Sequence, residues 1–300
     1  MTHCYELIIT GRRKIKQKIK FNNKRNYKKL ITLLAINLVL LGKPCFAQRQ
    51  VQDYTYQYEK YRTNYDEYTV AKNEFLKQKT LTSQKDALDK TKVIITQRAQ
   101  TLRVYLMALK YSLNTTAGIA NEDKIRLSAN LDEEIGWLQN HIDDITGMNN
   151  PTLTDLFEIS SRLERKKNQY IILSHETVAH ILIGRLRQLN QEYSATNSVL
   201  QPLVDKYKNS FIKNWYDQSV DMTFRCDQSI TNALAIAEEL KKANDENAAS
   251  KSLVSIKNEL GNGKQLLKDG VGYQQEILKE LNKILPKASD KNASASGGNQ

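Results

Sequence analysis

Apolar side chains recur at alternating spacings of three and four residues along most of this 300-residue chain. This spacing places them on one stripe of an α-helix, which can then be buried against other helices. Only three prolines, Pro151, Pro202 and Pro286, follow residue 47, so few positions forbid a long helix. No useful stretch shows the two-residue period of a half-buried strand. The pattern predicts an all-α protein: an elongated antiparallel bundle of coiled-coil hairpins with five to seven long helices over residues 48–285.

The first two predicted helices form a hairpin. A row of tyrosines spaced by four and three residues marks the first helix: Tyr54, Tyr58, Tyr61, Tyr65 and Tyr68. Aliphatic residues continue the same pattern from Leu88 to Leu113 in the second helix. The hydroxyl side chains within residues 79–83 are expected to cap that second helix. Because the turn between the helices is short, an antiparallel pairing is predicted.

The third and fourth helices follow Gly118. Asn121 is the expected N-cap of the third helix, and residues 146–151 are expected to end it. The fourth helix is predicted from about residue 154 to about residue 193. Its middle, residues 170–186, is apolar on nearly all sides, which indicates a central position in the bundle.

The remaining boundaries are marked by polar residues, proline and glycine. Residues 194–198 are expected to end the fourth helix, with Pro202 in the first turn of the next helix. The following stretch is predicted as one helix or as two that are separated near Ser219. Four glycines are expected to bend or fray the last helix: Gly261, Gly263, Gly270 and Gly272. Residues 286–300 are predicted to be a disordered tail.

The beginning of the chain has the layout of a secretory signal peptide. A basic n-region covers residues 1–29, an apolar core covers residues 30–41, and small residues precede an expected cleavage after Ala47. The alternative is an uncleaved anchor, but twelve apolar residues are fewer than the roughly 20 of a spanning helix. The protein is therefore expected to be exported to the periplasm, the cell surface or the medium, with membrane contact only through this leader.

The net charge of +12 belongs mostly to the leader. Residues 1–47 carry eleven basic residues and one acid, so the other 253 residues have a net charge of only +2. Nucleic-acid binding is therefore not expected. The basic clusters at residues 165–167 and 241–242 are interpreted as solvated helix faces. After cleavage only Cys226 remains, either as a buried structural thiol or in a disulfide between two chains.

Histidine spacings do not indicate a metal site. His175 and His180 are separated by five residues, so they diverge by about 140° around a helix, unlike the pair in the zinc-protease signature. His141, Asp144 and Glu134 could share a face, but a surface acid cluster is the preferred interpretation. No nucleotide-binding or serine-hydrolase motif occurs. We therefore identify no catalytic, cofactor-binding or metal-binding residue and expect a protein that is not an enzyme.

The stretch from Tyr54 to Leu113, which contains YRTNYDEYTVAKNEFLKQKTLTSQKDALDKTK, resembles uncharacterised exported helical proteins of bacteria. The resemblance covers about a fifth of the chain. It implies an exported, helical, coiled-coil-like protein and carries no activity to this sequence.

The predicted function is that of an extracytoplasmic scaffold or interaction protein of the cell envelope. The tyrosine row is the candidate binding face for a protein partner, or for sugars; the other interpretation is a seam packed against the neighbouring helix. The heptads leave homodimer formation open. A membrane-active secreted protein that exposes residues 170–186 is the alternative function, and a metal-dependent enzyme is a third.

Overall fold

The computed structural model describes residues 45–284, which form seven α-helices. These are α1 (Cys45–Gln78), α2 (Leu81–Thr115), α3 (Asn121–Gly147), α4 (Leu153–Arg165), α5 (Lys167–Tyr207), α6 (Ser210–Lys241) and α7 (Glu246–Ile284). No strand occurs among these residues, so the predicted all-α bundle is confirmed. The signal peptide, apart from its last three residues, and the tail at residues 286–300 lie outside the described residues, and those two predictions stay untested.

Helices α1 and α2 form the predicted antiparallel hairpin. Gln57 pairs with Gln97, whereas Glu67, further along α1, pairs with Lys90, which comes earlier in α2. The turn between the helices contains only residues 79 and 80. Thr80 is the N-cap of α2 and forms a capping box with Ser83, which confirms the predicted hydroxyl cap.

The connections around α3 match the prediction at one end only. Asn121 is the first residue of the helix and not its N-cap; that position is Ala120, whose side chain offers no acceptor. The expected cap at Asn121 is therefore wrong, although Glu122 and Asp123 in the first turn do complement the helix dipole. At the other end, α3 stops at Gly147, as residues 146–151 predict.

The predicted fourth helix is divided, and its predicted end is wrong. It is interrupted at Lys166, and α5 then continues through residues 194–198 and past Pro202 to Tyr207. The polar residues stay helical because their side chains find partners: the Ser198 hydroxyl donates to the Ser194 carbonyl, and Asn197 is buried against α6 and α7. Pro202 lies inside α5, five residues before its end, so the helix continues without the hydrogen bond that an N–H at this position would donate to the Ser198 carbonyl.

Helices α6 and α7 are each a single helix, whereas a separation near Ser219 was left open and bending or fraying was expected at the glycines. Ser219 lies buried within α6, and the real boundary is Lys208, which has a left-handed φ of 44°. Helix α7 continues past its four glycines. Gly270 is the point at which Tyr193 of α5 approaches closely, because a Cβ there would lie 2.3 Å from the Tyr193 hydroxyl oxygen. This glycine therefore serves packing between helices.

Two hydrophobic cores share α5. The N-terminal core combines α2, α3, α4 and α5, with Leu106, Leu131, Leu163 and Leu173 among its residues. The C-terminal core combines α5, α6 and α7, with Ile183, Ile230 and Ile256 among its residues. Residues 170–186 contribute to both cores, which confirms their predicted central position.

A buried polar layer crosses the three-helix part of the bundle. Ser219 donates to Asn197 Oδ1 at 2.6 Å and is hydrogen-bonded to the Tyr193 hydroxyl, while Gln274 donates to the same Asn197 oxygen at 2.8 Å. The layer separates the C-terminal core from a smaller cluster that contains Val204, Ile212, Tyr216, Ile277 and Leu281. Because every partner must stay in register, this layer fixes the alignment of α5, α6 and α7.

Candidate functional site

The tyrosine row forms a continuous ladder along α1. Successive ring centroids are 6.2 Å (Tyr54 to Tyr58), 6.5 Å (Tyr58 to Tyr61), 6.3 Å (Tyr61 to Tyr65) and 6.2 Å (Tyr65 to Tyr68) apart. At 1.5 Å per residue the ladder extends over about 21 Å of the helix. We call these five residues the tyrosine ladder.

The ladder lies beside the α1–α2 seam rather than at its centre. Gln57 and Ala71, two heptads apart, mark the centre: Gln57 is bonded to Gln97 of α2, and Ala71 is buried. At one end of the ladder the Tyr54 ring is 5.4 Å from Tyr105 of α2. Four of the rings are half-buried, and Tyr65 is 50% exposed. The packed-seam interpretation therefore describes the half-buried sides of the rings, and the binding-face interpretation stays a prediction.

Helix α1 contributes little to either core. Among residues 52–78, Ala71 is the one side chain that is fully buried. The helix packs chiefly on α2, and the hydrophobic cores draw their buried residues from the later helices. The tyrosine ladder therefore lies on the helix that contributes least to the hydrophobic cores.

Arg98 of α2 pairs with α4 and lies within electrostatic range of Tyr61 in the ladder. Its guanidinium is 2.6 Å from the Glu164 carboxylate, and it also opposes the rise in the Tyr61 pKa that burial causes. Phe157, seven residues before Glu164 and thus on the same face of α4, is 73% exposed. Sequence reasoning missed Arg98 and Phe157, because neither belongs to a periodic pattern.

His175 and His180 face different helices, as their spacing predicts. His180 Nδ1 lies 3.6 Å from an Asp123 oxygen on α3, whereas His175 lies against the Ala249 backbone on α7. Beside His180, Arg126 is 2.8 Å from the buried Glu176 carboxylate. Burial is the main cause that raises the Glu176 pKa, and burial also lowers the pKa of His180. The spacing argument against a shared metal ion thus agrees with the geometry.

His141, Asp144 and Glu134 do not converge on one site, and the preferred interpretation as a surface acid cluster is wrong, because Glu134 and His141 are buried. Glu134 is buried and accepts hydrogen bonds from Lys166 at 2.6 Å and from Gln169 at 2.6 Å. His141 instead stacks on Trp137 at 4.9 Å. Across residues 45–284, no group of three or more His, Cys, Asp or Glu side chains could hold a metal ion.

Lys166 corrects the interpretation of the basic cluster at residues 165–167. Its ammonium is bound by Glu134 and lies 4.7 Å from the Trp137 ring centroid. This lysine is therefore part of an internal contact between α3 and the α4–α5 junction and does not belong to a solvated face.

Cys226 is fully buried in the C-terminal core, and burial raises its pKa to about 12. The thiol is therefore protonated at neutral pH and inaccessible to a partner chain, which agrees with the structural interpretation rather than with a disulfide between chains.

No family model, no curated protein and no solved structure matches this chain. Within residues 45–284, no helix has the length and apolarity required to cross a membrane. Residues 170–186, which a membrane-active protein would have to expose, lie between the two cores.

The buried histidines predict that acid destabilises the fold. Burial is the main cause of a lowered pKa in His141, His175 and His180. An unfolded histidine titrates near pH 6.5, so below that pH the unfolded chain binds more protons than the folded chain. We expect the melting temperature to fall as the pH is lowered from 7.5 to 5.5, and to fall less steeply in His180→Gln.

Circular dichroism melting at 0.5-unit pH steps measures this effect. Glu176 acts in the opposite direction, since its raised pKa makes protonation favourable in the folded state as the pH falls. A melting temperature that is constant or rises between pH 7.5 and 5.5 would show that the histidines do not dominate.

Proposed function

We propose that this chain is an exported, non-enzymatic helical scaffold that binds a protein partner through the tyrosine ladder. The observation that carries the proposal is the placement of five contacting rings, Tyr54 to Tyr68, on the helix that contributes least to the cores. Tyrosine is enriched at protein interfaces because it offers a large contact area and a hydroxyl that tolerates water. The proposal of export rests on the leader-like order of residues 1–47.

The ladder suits recognition of an extended apolar stripe. Each ring is already held by its neighbours at 6.2–6.5 Å, so binding orders few additional side-chain torsions. About 21 Å of ladder corresponds to four turns of a partner helix, which would present side chains at positions i, i+3 or i+4, and i+7. The partially exposed rings would be covered, while their hydroxyls would remain at the hydrated rim.

A position-specific photo-crosslink tests the ladder. We expect p-benzoyl-phenylalanine at position 65, when irradiated in the cells that produce the protein, to give one adduct of defined mass. The same probe at position 56 is the matched control, because Tyr56 is 65% exposed on the same helix but lies outside the ladder. Truncation of a central interface tyrosine typically costs about 2 kcal/mol, so Tyr61→Ala should abolish most of the position-65 adduct.

The variants should retain the helical circular dichroism of the parent, because the ladder lies beside the seam and outside both cores. Equal adducts from positions 56 and 65, or an adduct that survives Tyr61→Ala, would remove the ladder as the binding face.

A further inference from the structure

The turn between α5 and α6 combines basic and aromatic residues without an acid. Residues 206–216 read KYKNSFIKNWY, which contains three lysines, four aromatic residues and no aspartate or glutamate. We call this segment the tip. Lys208 closes α5 in a left-handed conformation with φ 44°, and Asn209 caps α6 by accepting from the backbone N–H groups of Phe211 and Ile212. The tip is therefore an ordered turn.

Part of the tip anchors it to the bundle and part is exposed. Ile212 and Tyr216 are buried in the small cluster with α7, and Trp215 packs against that cluster while remaining half-buried. Phe211 is 68% exposed, and its ring lies 6.3 Å from that of Trp215. The fold thus holds an exposed phenylalanine and a tryptophan edge together at one end of the three-helix unit.

The lysines of the tip lie beside these rings. Lys206, Lys208 and Lys213 are all exposed, and the Lys206 ammonium is 5.2 Å from the Tyr207 ring centroid. Two acids flank the segment: Asp205 accepts from Gln201, and Asp217 pairs with Lys213. Between them lies a basic surface around the exposed Phe211 ring and the half-buried Trp215 ring.

We infer that the tip is a peripheral docking site for an anionic lipid surface. Lysine ammonium groups attract acidic headgroups, each contributing at short range. Tryptophan and tyrosine favour the headgroup level of a bilayer, and an exposed phenylalanine can enter the boundary of the acyl chains. The buried Ile212 and Tyr216 would hold the turn rigid, so no refolding is needed for contact. This is a membrane contact separate from the leader and independent of the tyrosine ladder.

The charge and the aromatic residues together favour lipid over other acidic partners. A purely electrostatic site for a polyanion needs lysines but does not require an exposed phenylalanine beside a tryptophan. A purely apolar protein interface would be depleted of lysine in its centre. The tip has both features within eleven residues.

Trp215 itself reports the contact. The chain has two tryptophans, so Trp137→Phe leaves Trp215 as the single indole. With vesicles of phosphatidylglycerol and phosphatidylcholine, we expect the Trp215 emission to shift to shorter wavelength and to be quenched by brominated lipid. Neutral phosphatidylcholine vesicles should produce neither change, and added salt should weaken both. Because the readout is local to Trp215, binding of the full chain through residues 1–47 does not produce it.

Substitutions separate the contribution of the lysine charges from that of the exposed phenylalanine. Lys206→Ser and Lys208→Ser should each weaken the vesicle-induced change about five-fold, and Phe211→Ser about tenfold. Phe224→Ser is the matched control, since Phe224 is 62% exposed on the same helix but lies outside the tip. It should leave the lipid response unchanged.

Three results would overturn the inference: quenching that survives Phe211→Ser and Lys208→Ser together, an equal response with neutral vesicles, or the same emission shift with duplex DNA at equal ionic strength. Release of a trapped dye during binding would also contradict peripheral docking and would support the membrane-active alternative.

Discussion

Gly184→Val is expected to lower the free energy of unfolding by about 3 kcal/mol. Gly184 is the point at which the loop between α2 and α3 crosses α5. A Cβ at this position would lie 2.5 Å from the Ile119 side chain and 2.9 Å from the Ala117 carbonyl oxygen. The loop cannot withdraw easily, because Arg187 donates to the Gly118 carbonyl at 2.8 Å. To accommodate the valine side chain, the backbone of the α2–α3 loop would therefore have to move away from the backbone of α5.

Urea unfolding followed by circular dichroism measures this loss. Gly136→Ala is the control, because Gly136 lies inside α3 and nothing lies within 4 Å of its added Cβ. That substitution should raise the free energy of unfolding by up to about 1 kcal/mol, since alanine favours a helix. If both substitutions change the free energy of unfolding in the same direction, the close crossing of loop and helix does not control stability here.

Lys166→Met is expected to cost about 3 kcal/mol, although it replaces a lysine in a basic cluster. The substitution leaves the buried Glu134 carboxylate with Gln169 as its remaining partner. It also removes the ammonium from the Trp137 ring. A buried charge without its counter-ion is penalised more than a well-packed apolar pair, so Glu134→Leu combined with Lys166→Met should recover most of the loss.

The double-mutant cycle is measured by the same urea titrations. Lys242→Met is the matched control: Lys242 pairs with Glu239, and both side chains are about 70% exposed. Its substitution should leave the unfolding curve essentially unchanged. Additive losses in the Glu134 and Lys166 variants would mean that the two residues act separately.

Helical periodicity was a good guide to the existence of the helices and a poor guide to their ends. The Thr80 cap was predictable because a hydroxyl residue directly precedes an apolar stripe. Residues 194–198 gave a local signal for a break, and Gly270 gave one for bending or fraying, but the helices continue through both because of tertiary contacts. Asn197 has buried partners on two helices, and Gly270 accommodates the Tyr193 ring. Neither partner can be identified from nearby sequence.

For the candidate sites too, local spacing could be read from the sequence, whereas the contacts between helices could not. The tyrosine ladder follows from spacing alone, since residues three and four apart share a helix face. Its position beside the seam does not, because that depends on the pairing of Gln57 with Gln97. The tip was not singled out from the sequence, although lysines and aromatic residues occur there without acids, because its meaning required the α5 boundary at Lys208. With the boundary misplaced near residue 194, those residues fell inside a helix.

The unbroken length of α5 sets the distance between the tyrosine ladder and the tip. Its 41 residues correspond to roughly 60 Å at 1.5 Å per residue. The tip lies at its C-terminal end. The ladder lies toward its N-terminal end, because the Tyr54 ring contacts Tyr105, which packs against the N-terminal core. A partner bound at the ladder and a surface touched by the tip would therefore be separated by a rigid spacer, whose length the buried registration of α5 against both cores keeps constant.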